Sequence, residues 1–248
     1  MPAKLRKWYQ LFIAFGTMTV VGVIALALRV ISLGLLTHFN RKYLVAGTSK
    51  LILQLLGIKL ILPDQKIFPK EPCFYTFNHN SSLDLFALTA MGFTNARFLL
   101  SEKTLKIIPL TIMALSIGVM YIPQKHHKKR RIRFFEKTEK MILKRKVSVF
   151  GSSEGVHQHK HGIAPFNRGV YHMATITRVP VVLLFIDIPE ESNPLNSYRS
   201  FKNGLIRIEC IGILDTVNWA IEDIDKNKEI AREIFVKKFN ETFHTNIS

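Results

Sequence analysis

His79 is followed five residues later by Asp84 in the run Phe77-Asn78-His79-Asn80-Ser81-Ser82-Leu83-Asp84-Leu85, where polar side chains appear abruptly between two apolar stretches. An imidazole and a carboxylate at this spacing are equipped for proton chemistry. If the chain curls so that the carboxylate accepts one ring N–H, the other ring nitrogen becomes a base for the proton of an alcohol. The carboxylate then steadies the imidazolium that forms. Taken alone, the pattern fits a helix cap and a polar loop residue better, since Ser82 or Asp84 at a helix start satisfies orphaned backbone N–H groups. The surrounding sequence has to decide.

A second polar cluster, Gly151-Ser152-Ser153-Glu154-Gly155, also follows an apolar run. Its amides and hydroxyls suit an acceptor headgroup or a developing oxyanion, with Glu154 as a positioning group; a tight turn that needs glycine for steric reasons is the competing reading. His157, His159 and His161 alternate among polar and basic residues with no carboxylate pair beside them, so a solvated loop is expected there rather than a metal site. Cys73 and Cys210 are the only cysteines, each in an apolar strand-like run, which reads as two buried thiols in a reducing, cytosol-facing domain.

These residues need a framework that aims them. Apolar β-rich runs at 59–62, 73–77, 97–100, 119–122, 147–150, 181–186 and 205–213 predict strands, and three- and four-residue apolar spacing predicts helices at 83–91, 128–144, 169–177 and 226–243. Alternation of the two predicts an α/β fold with a mostly parallel, mixed sheet flanked by helices. His79 then falls at the carboxyl end of a strand, where open α/β sheets form their ligand crevice.

Ahead of this domain, residues 11–28 hold eighteen residues without a charge, preceded by Lys4, Arg6 and Lys7. That length is just enough to span a bilayer, and the absence of a small-x-small cleavage site predicts an uncleaved anchor, spanning or dipping into one leaflet. The apolar segment 51–56 is too short to cross, and reads equally as an interfacial helix or an ordinary core helix. The chain therefore divides into a membrane-anchoring helical segment, 1–57, and a catalytic domain, 58–248.

Lys and Arg outnumber Asp and Glu by 35 to 18, for a formal charge of +17. The densest basic run is Lys125-His126-His127-Lys128-Lys129-Arg130-Arg131 with Arg133. Nucleic acid, anionic lipid headgroups, and the phosphates of coenzyme A or the acidic face of an acyl carrier protein all fit it, as does a solvated helix start. With an anchor in the same chain, the membrane and acyl-donor readings lead, and no nucleic acid is expected.

Several blocks occur in an order that is informative as a set. The run FNHNSSLDLF resembles the first signature of the 1-acylglycerol-3-phosphate acyltransferase (PlsC-like) family. Ser101-Glu102-Lys103 with Ile108-Pro109 resembles that family's K-x-E-L-x-x-x-P segment, and Ile117-Gly118 with 119–122 its G-x-x-x-I strand. The stretch 150–155 resembles its F-P-E-G-T-R block, Pro165-Phe166-Asn167-Arg168-Gly169 its F-K-x-G element, and Val179-Pro180-Val181-Val182 its V-P-V-V-P block. The resemblance runs from about residue 58 to the C-terminus.

The resemblance implies an acyltransferase in which His79 is the catalytic base and Asp84 its orienting partner. Ser101, Lys103, Lys125, Ser153, Glu154, Gly155 and His157 would lie on the acceptor or oxyanion side. Two arginines expected near an acceptor phosphate are absent, replaced by the stretch ending in Gln124-Lys125 and by Val156-His157. Lys125 and His157 are the candidate substitutes, without arginine's bidentate fork. The expected acceptor is a lysophospholipid-type alcohol, lysophosphatidate among the candidates, acylated by acyl-CoA or acyl carrier protein as co-substrate. No metal or organic cofactor is called for, and the expected partner is a bilayer with anionic headgroups, the inner membrane if the source is bacterial. A thioester hydrolase on the same scaffold and a basic, membrane-tethered binding protein are the alternatives.

Overall fold

The computed structural model describes residues 3–79, 81, 83–155, 162–188 and 204–243. β2 (Phe74–Phe77) is buried throughout, and β6 (Val181–Asp187) has six buried residues in succession. Strands that read as unbroken apolar runs are those covered on both faces, and these two lie side by side in the interior of a seven-stranded sheet. The others are β1 (Ile58–Ile61), β3 (Ala96–Ser101), β4 (Met120–Ile122), β5 (Ser148–Ser152) and β7 (Gly204–Leu214), in the order β1-β7-β6-β2-β5-β3-β4. β6, β2, β5, β3 and β4 are parallel. β7 pairs antiparallel with β6, and β1 parallel with β7, so these two run the other way. The mixed, mostly parallel sheet matches the expectation, each strand lying within two residues of its expected bounds.

Side chains alternate between two layers, as the pleat requires. Tyr75, Phe77, Val182, Leu184 and Ile186 face a core built with α1 (Ala3–Ile31), α3 (Ala46–Leu55), α4 (Asp84–Thr89) and α5 (Ile108–Ile117). Phe74, Val181, Leu183 and Phe185 face a second core built with α6 (Lys128–Arg145), α7 (Arg168–Thr177) and α8 (Ile224–Phe243). The long apolar α1 thus lies on the face of the sheet opposite α6, α7 and α8.

Within α1, Trp8–Ile31 is long and apolar enough to cross a membrane. Its Ala14 and Met18 are buried in the first core, while Phe12, Val20, Val23 and Ile24 stay exposed. After α1, the short α2 (Thr37–Phe39) and a π-helical turn, Asn40–Val45, lead into α3. The segment 51–56 resolves as the end of α3 with its flanking turn: Ile52, Leu53 and Leu56 enter the core, and Leu51 and Leu55 remain exposed.

Polar contacts lock the N-terminal helices to α5. Arg29 donates to the Leu115 carbonyl, Asn40 Nδ2 to that of Ser116 (3.3 Å), and Arg41 Nε and Nη2 to that of Ile117 (2.9 and 2.7 Å). These are the carbonyls a helix C-terminus leaves without partners, at the negative end of its dipole. Burial pulls the Arg41 pKa down to about 9, and the helix end offsets the cost of a buried cation there. Gly118, at φ +72°, terminates α5 with little room to spare, since the Arg29 and Arg41 guanidiniums lie 3.6 Å from where a Cβ would sit.

Candidate active site

The five parallel strands end on one edge, so β2 delivers His79, β5 delivers Glu154, β3 delivers Ser101 and β4 delivers Gln124 to a common rim. Between β2 and α4 the chain turns sharply, with the Leu83 N–H on Ser81 Oγ (3.1 Å). That turn brings Asp84, at the first position of α4, back under the imidazole. His79 Nδ1 and Asp84 Oδ2 are 2.7 Å apart, and the same carboxylate oxygen accepts the Ser81 N–H at 3.2 Å. Asp84 is 1% exposed, so the carboxylate is fixed within the protein and shielded from water.

Ionised Asp84 is an acceptor only, so against it His79 Nδ1 carries the shared hydrogen and Nε2 is the basic nitrogen of that tautomer. Burial favours the neutral ring, but the hydrogen bond and charge of Asp84, with the charge of Glu154, outweigh it and raise the His79 pKa above its ordinary 6.5. The expected His-Asp geometry is therefore present.

Glu154 holds the same loop from below. One carboxylate oxygen accepts the His79 backbone N–H at 2.8 Å and the other accepts that of Ala164 at 2.9 Å. It is 3% exposed, and burial raises its pKa above the ordinary 4.5 against the lowering pull of those two N–H groups. Its carboxylate thus ties the β2 loop to the segment before α7.

Other expected members do something different. Ser153 is fully buried, its hydroxyl between Thr76 Oγ1 and the Tyr171 hydroxyl, which corrects the expectation that it contacts an acceptor: it cross-links β2, the end of β5, and α7. The Glu154 and Gly155 N–H groups point to Ser152 Oγ at 3.2 and 3.4 Å rather than outward, so the loop's own turn uses the amides expected for an oxyanion. Gly155 sits at φ +72°, and a Cβ there would fall 2.5 Å from Asn167 Nδ2. His157 lies outside the described residues, as do His159 and His161.

Ser101, Lys103 and Lys125 gather on a separate part of the rim. Ser101 Oγ accepts the Lys103 N–H (3.3 Å) and Gln124 Nε2 (3.0 Å), while Glu102 accepts the Gln124 N–H and Arg130, each at 2.9 Å. Lys103 and Lys125 are exposed. With strands about 4.8 Å apart, β3 ends roughly 10 Å and β4 roughly 14 Å from β2, so these groups stand apart from His79 along the rim.

Two positioning residues escaped the sequence reading. Asn78 brackets β6, donating Nδ2 to the Ile186 carbonyl (2.9 Å) and accepting the Ile186 N–H on Oδ1 (2.7 Å). Asn167, the N-cap of α7, donates Nδ2 to the Ser153 and Glu154 carbonyls at 3.1 and 2.8 Å. An Asn just ahead of a predicted helix is a signal that could have found the second, although its side chain caps no helix N–H. No local signal marks the first.

From sequence, Leu105, Ile107, Ile108, Leu110, Ile112, Met113 and Leu115 could line an acyl tunnel, with core packing the simpler reading. Met113, Ala114 and Ile117 are buried, and the cavity they line with Met18, Phe86 and Phe98 measures about 20 Å³. That volume holds about one water, so this conformation packs α5 as core. The Cys73 thiol is pushed up to about 11 by burial, which makes it a poor nucleophile.

Residues 60–186 match the family model described as Acyltransferase. A 1-acyl-sn-glycerol-3-phosphate acyltransferase of Saccharomyces cerevisiae is 22% identical over 191 residues, covering 75% of this chain and 62% of that protein. A chloroplastic 1-acyl-sn-glycerol-3-phosphate acyltransferase of Brassica napus, BAT2, is 30% identical over 138 residues, 55% of this chain and 39% of that protein. The chain thus spans less than two thirds of the length of either relative. The crystal structure of the 1-acyl-sn-glycerophosphate acyltransferase PlsC from Thermotoga maritima superposes with a TM-score of 0.75 at 17% identity, over 97% of this chain and 95% of that one. At that identity the likeness establishes a shared fold.

Proposed function

Because the chain belongs to the acyltransferase family, which its residues 60–186 match, we propose that it transfers a fatty acyl group from a thioester to the hydroxyl of a lysophospholipid-type acceptor at a membrane. The observation that carries this reading is the 2.7 Å His79–Asp84 contact at the carboxyl end of β2, with Asp84 buried beneath it. Relatives named for acylating 1-acyl-sn-glycerol-3-phosphate make lysophosphatidate the first acceptor to try.

In this mechanism His79 Nε2 takes the acceptor's hydroxyl proton as the oxygen attacks the thioester carbonyl. Asp84 stabilises the imidazolium from the far side of the ring. The tetrahedral intermediate collapses, the C–S bond breaks, and the leaving thiolate takes the proton from Nε2, giving ester and thiol. Proton count and charge balance without a metal or organic cofactor, and thioester cleavage is itself downhill. Glu154 fixes the backbone that carries the base, which is a proximity contribution. Lys103 and Lys125, exposed on the rim, are the proposed cations for an acceptor phosphate, with His157 as the third candidate; Ser101 orients Gln124 beside them. In this reading residues 1–57 hold the site at the bilayer through α1, with the domain on the cytosolic side.

The test is acyl transfer by detergent-purified protein from labelled palmitoyl-CoA and palmitoyl carrier protein to lysophosphatidate, several lysophospholipids and a lyso-aminoacyl lipid. Transfer to one of these acceptors above the rate of release to water supports the reading. Acceptor-independent release of free acid would instead make the protein a thioester hydrolase.

A further inference from the structure

Nine cations lie on α6, Lys128 to Arg131, Arg133, Lys137, Lys140, Lys144 and Arg145, against Glu136 and Glu139. Among the described residues, Arg130 is the only one of the nine within ion-pair distance of a carboxylate. Arg133, Lys137, Lys140 and Lys144 recur at four- and three-residue spacing and are all exposed, making one stripe. A shallow groove of about 420 Å³ runs along it from Arg133 to Arg145. Like charges at this spacing repel, and Glu136, which lines the same groove, offsets only part of that repulsion, so the stripe is suited to an external anionic surface.

The sheet decides which kind of surface. α6 packs through Phe135, Met141 and Ile142 into the core shared with α7 and α8, whereas the apolar α1 belongs to the core on the other face. A bilayer that receives α1 is therefore behind the sheet as seen from α6, and the stripe looks toward water. Its first turn still follows β4, on the same edge as His79, and Arg130 reaches back to Glu102 at the end of β3.

We propose that the exposed basic stripe of α6 is the docking surface for a soluble acidic acyl carrier protein, which presents the acyl thioester to His79 from the side away from the membrane. This deepens the acyltransferase reading and rests on it. From the first turn of α6 the thioester must cross three strand spacings, roughly 14 Å in the plane of the sheet, to reach the end of β2, and from Lys137 it must first run back nine residues, roughly 14 Å along the helix. An acyl group on a flexible arm can make that crossing. The surface accounts for the choice of donor and leaves the chemistry at His79 unchanged.

The test compares wild-type protein with the charge-reversed variant Lys137→Glu/Lys140→Glu/Lys144→Glu, which alters only exposed side chains. Palmitoyl carrier protein and palmitoyl-CoA serve as donors at low and high salt, and labelled holo carrier protein gives direct binding by fluorescence anisotropy. The expected result is a rise in KM for the carrier-protein donor of about ten-fold or more, with kcat little changed and palmitoyl-CoA kinetics within about two-fold of wild type. High salt should raise the wild-type KM for the carrier protein and leave the variant's nearly flat. Equal effects on both donors, no effect on either, or wild-type protein that neither binds nor uses the carrier would overturn the proposal. So would loss of flotation with vesicles containing phosphatidylglycerol while carrier-protein kinetics stay normal, which would hand the stripe to the membrane. Failure of the underlying reading looks different: no acceptor-dependent transfer from either donor in wild-type protein.

Discussion

Glu154 accepts the backbone N–H of His79 at 2.8 Å, so a carboxylate from the end of β5 grips the main chain of the residue whose side chain is paired with Asp84. Base and support sit on adjacent parallel strands, with the loop before α7 tied to the same carboxylate through Ala164. Substituting Glu154 therefore tests positioning apart from chemistry. Glu154→Gln keeps the shape but turns one acceptor into a donor facing an N–H. A hydrogen bond to a charged group contributes about 1.5–3 kcal/mol, which translates to roughly ten- to a hundred-fold in kcat if the loss falls on the transition state. Steady-state kinetics should show the loss in kcat with KM little changed; an equal rise in KM would place Glu154 against the substrate instead.

Gly155→Ala should be severe for its size. The new Cβ falls 2.5 Å from Asn167 Nδ2, whose hydrogen bonds to the Ser153 and Glu154 carbonyls must then break, and φ +72° adds about 1–2 kcal/mol of backbone strain. A lowered melting temperature together with reduced kcat is expected. Wild-type values for both would show that the loop adapts without Asn167.

The raised pKa of His79 sets a pH dependence with a definite sign. The base must be neutral to act, so kcat/KM should fall on the acid side with a midpoint above 6.5. Asp84→Asn removes the larger raising contribution and should move that midpoint down, Glu154→Gln by less. Stability carries the opposite sense: a raised folded pKa means that the His79–Asp84 contribution is fully present below 6.5 and fades as pH rises through the higher folded value. Kinetic profiles and thermal melts across this range check both, and an unshifted midpoint in Asp84→Asn contradicts the pairing.

Asn78→Ala removes both bonds to Ile186 and leaves a buried strand end with unmet backbone groups. A loss of about 1–3 kcal/mol in stability is expected for each group left unsatisfied, measured by urea unfolding. Retention of wild-type stability would mean that water replaces the amide.

What the sequence made legible follows from how local each signal is. β2 and β6 announce themselves because full burial on both faces leaves an uninterrupted apolar run, and α6 because one side packs and the other is basic. His79 and Asp84 are close enough in sequence to meet, but the spacing alone fits a helix cap better, and it was the ordered blocks around it that made the pair readable. Asn78 was not, since its partner Ile186 lies 108 residues away and only parallel pairing of β2 with β6 brings them together. Ser153 misled for a related reason: its hydroxyl looks available for a ligand until Tyr171 of α7 closes over it. α5 is apolar on both sides because it is caught between α1 and the sheet, so its sequence allows a tunnel although core is the simpler reading.

The central claim is that His79 is the base of an acyl transfer, and the most direct measurement is the rate at which His79→Ala and wild-type protein acylate lysophosphatidate from palmitoyl-CoA, both variants shown folded by circular dichroism. Loss of the base should reduce turnover by roughly three orders of magnitude or more. Turnover within a few-fold of wild type in the folded His79→Ala protein would contradict the account.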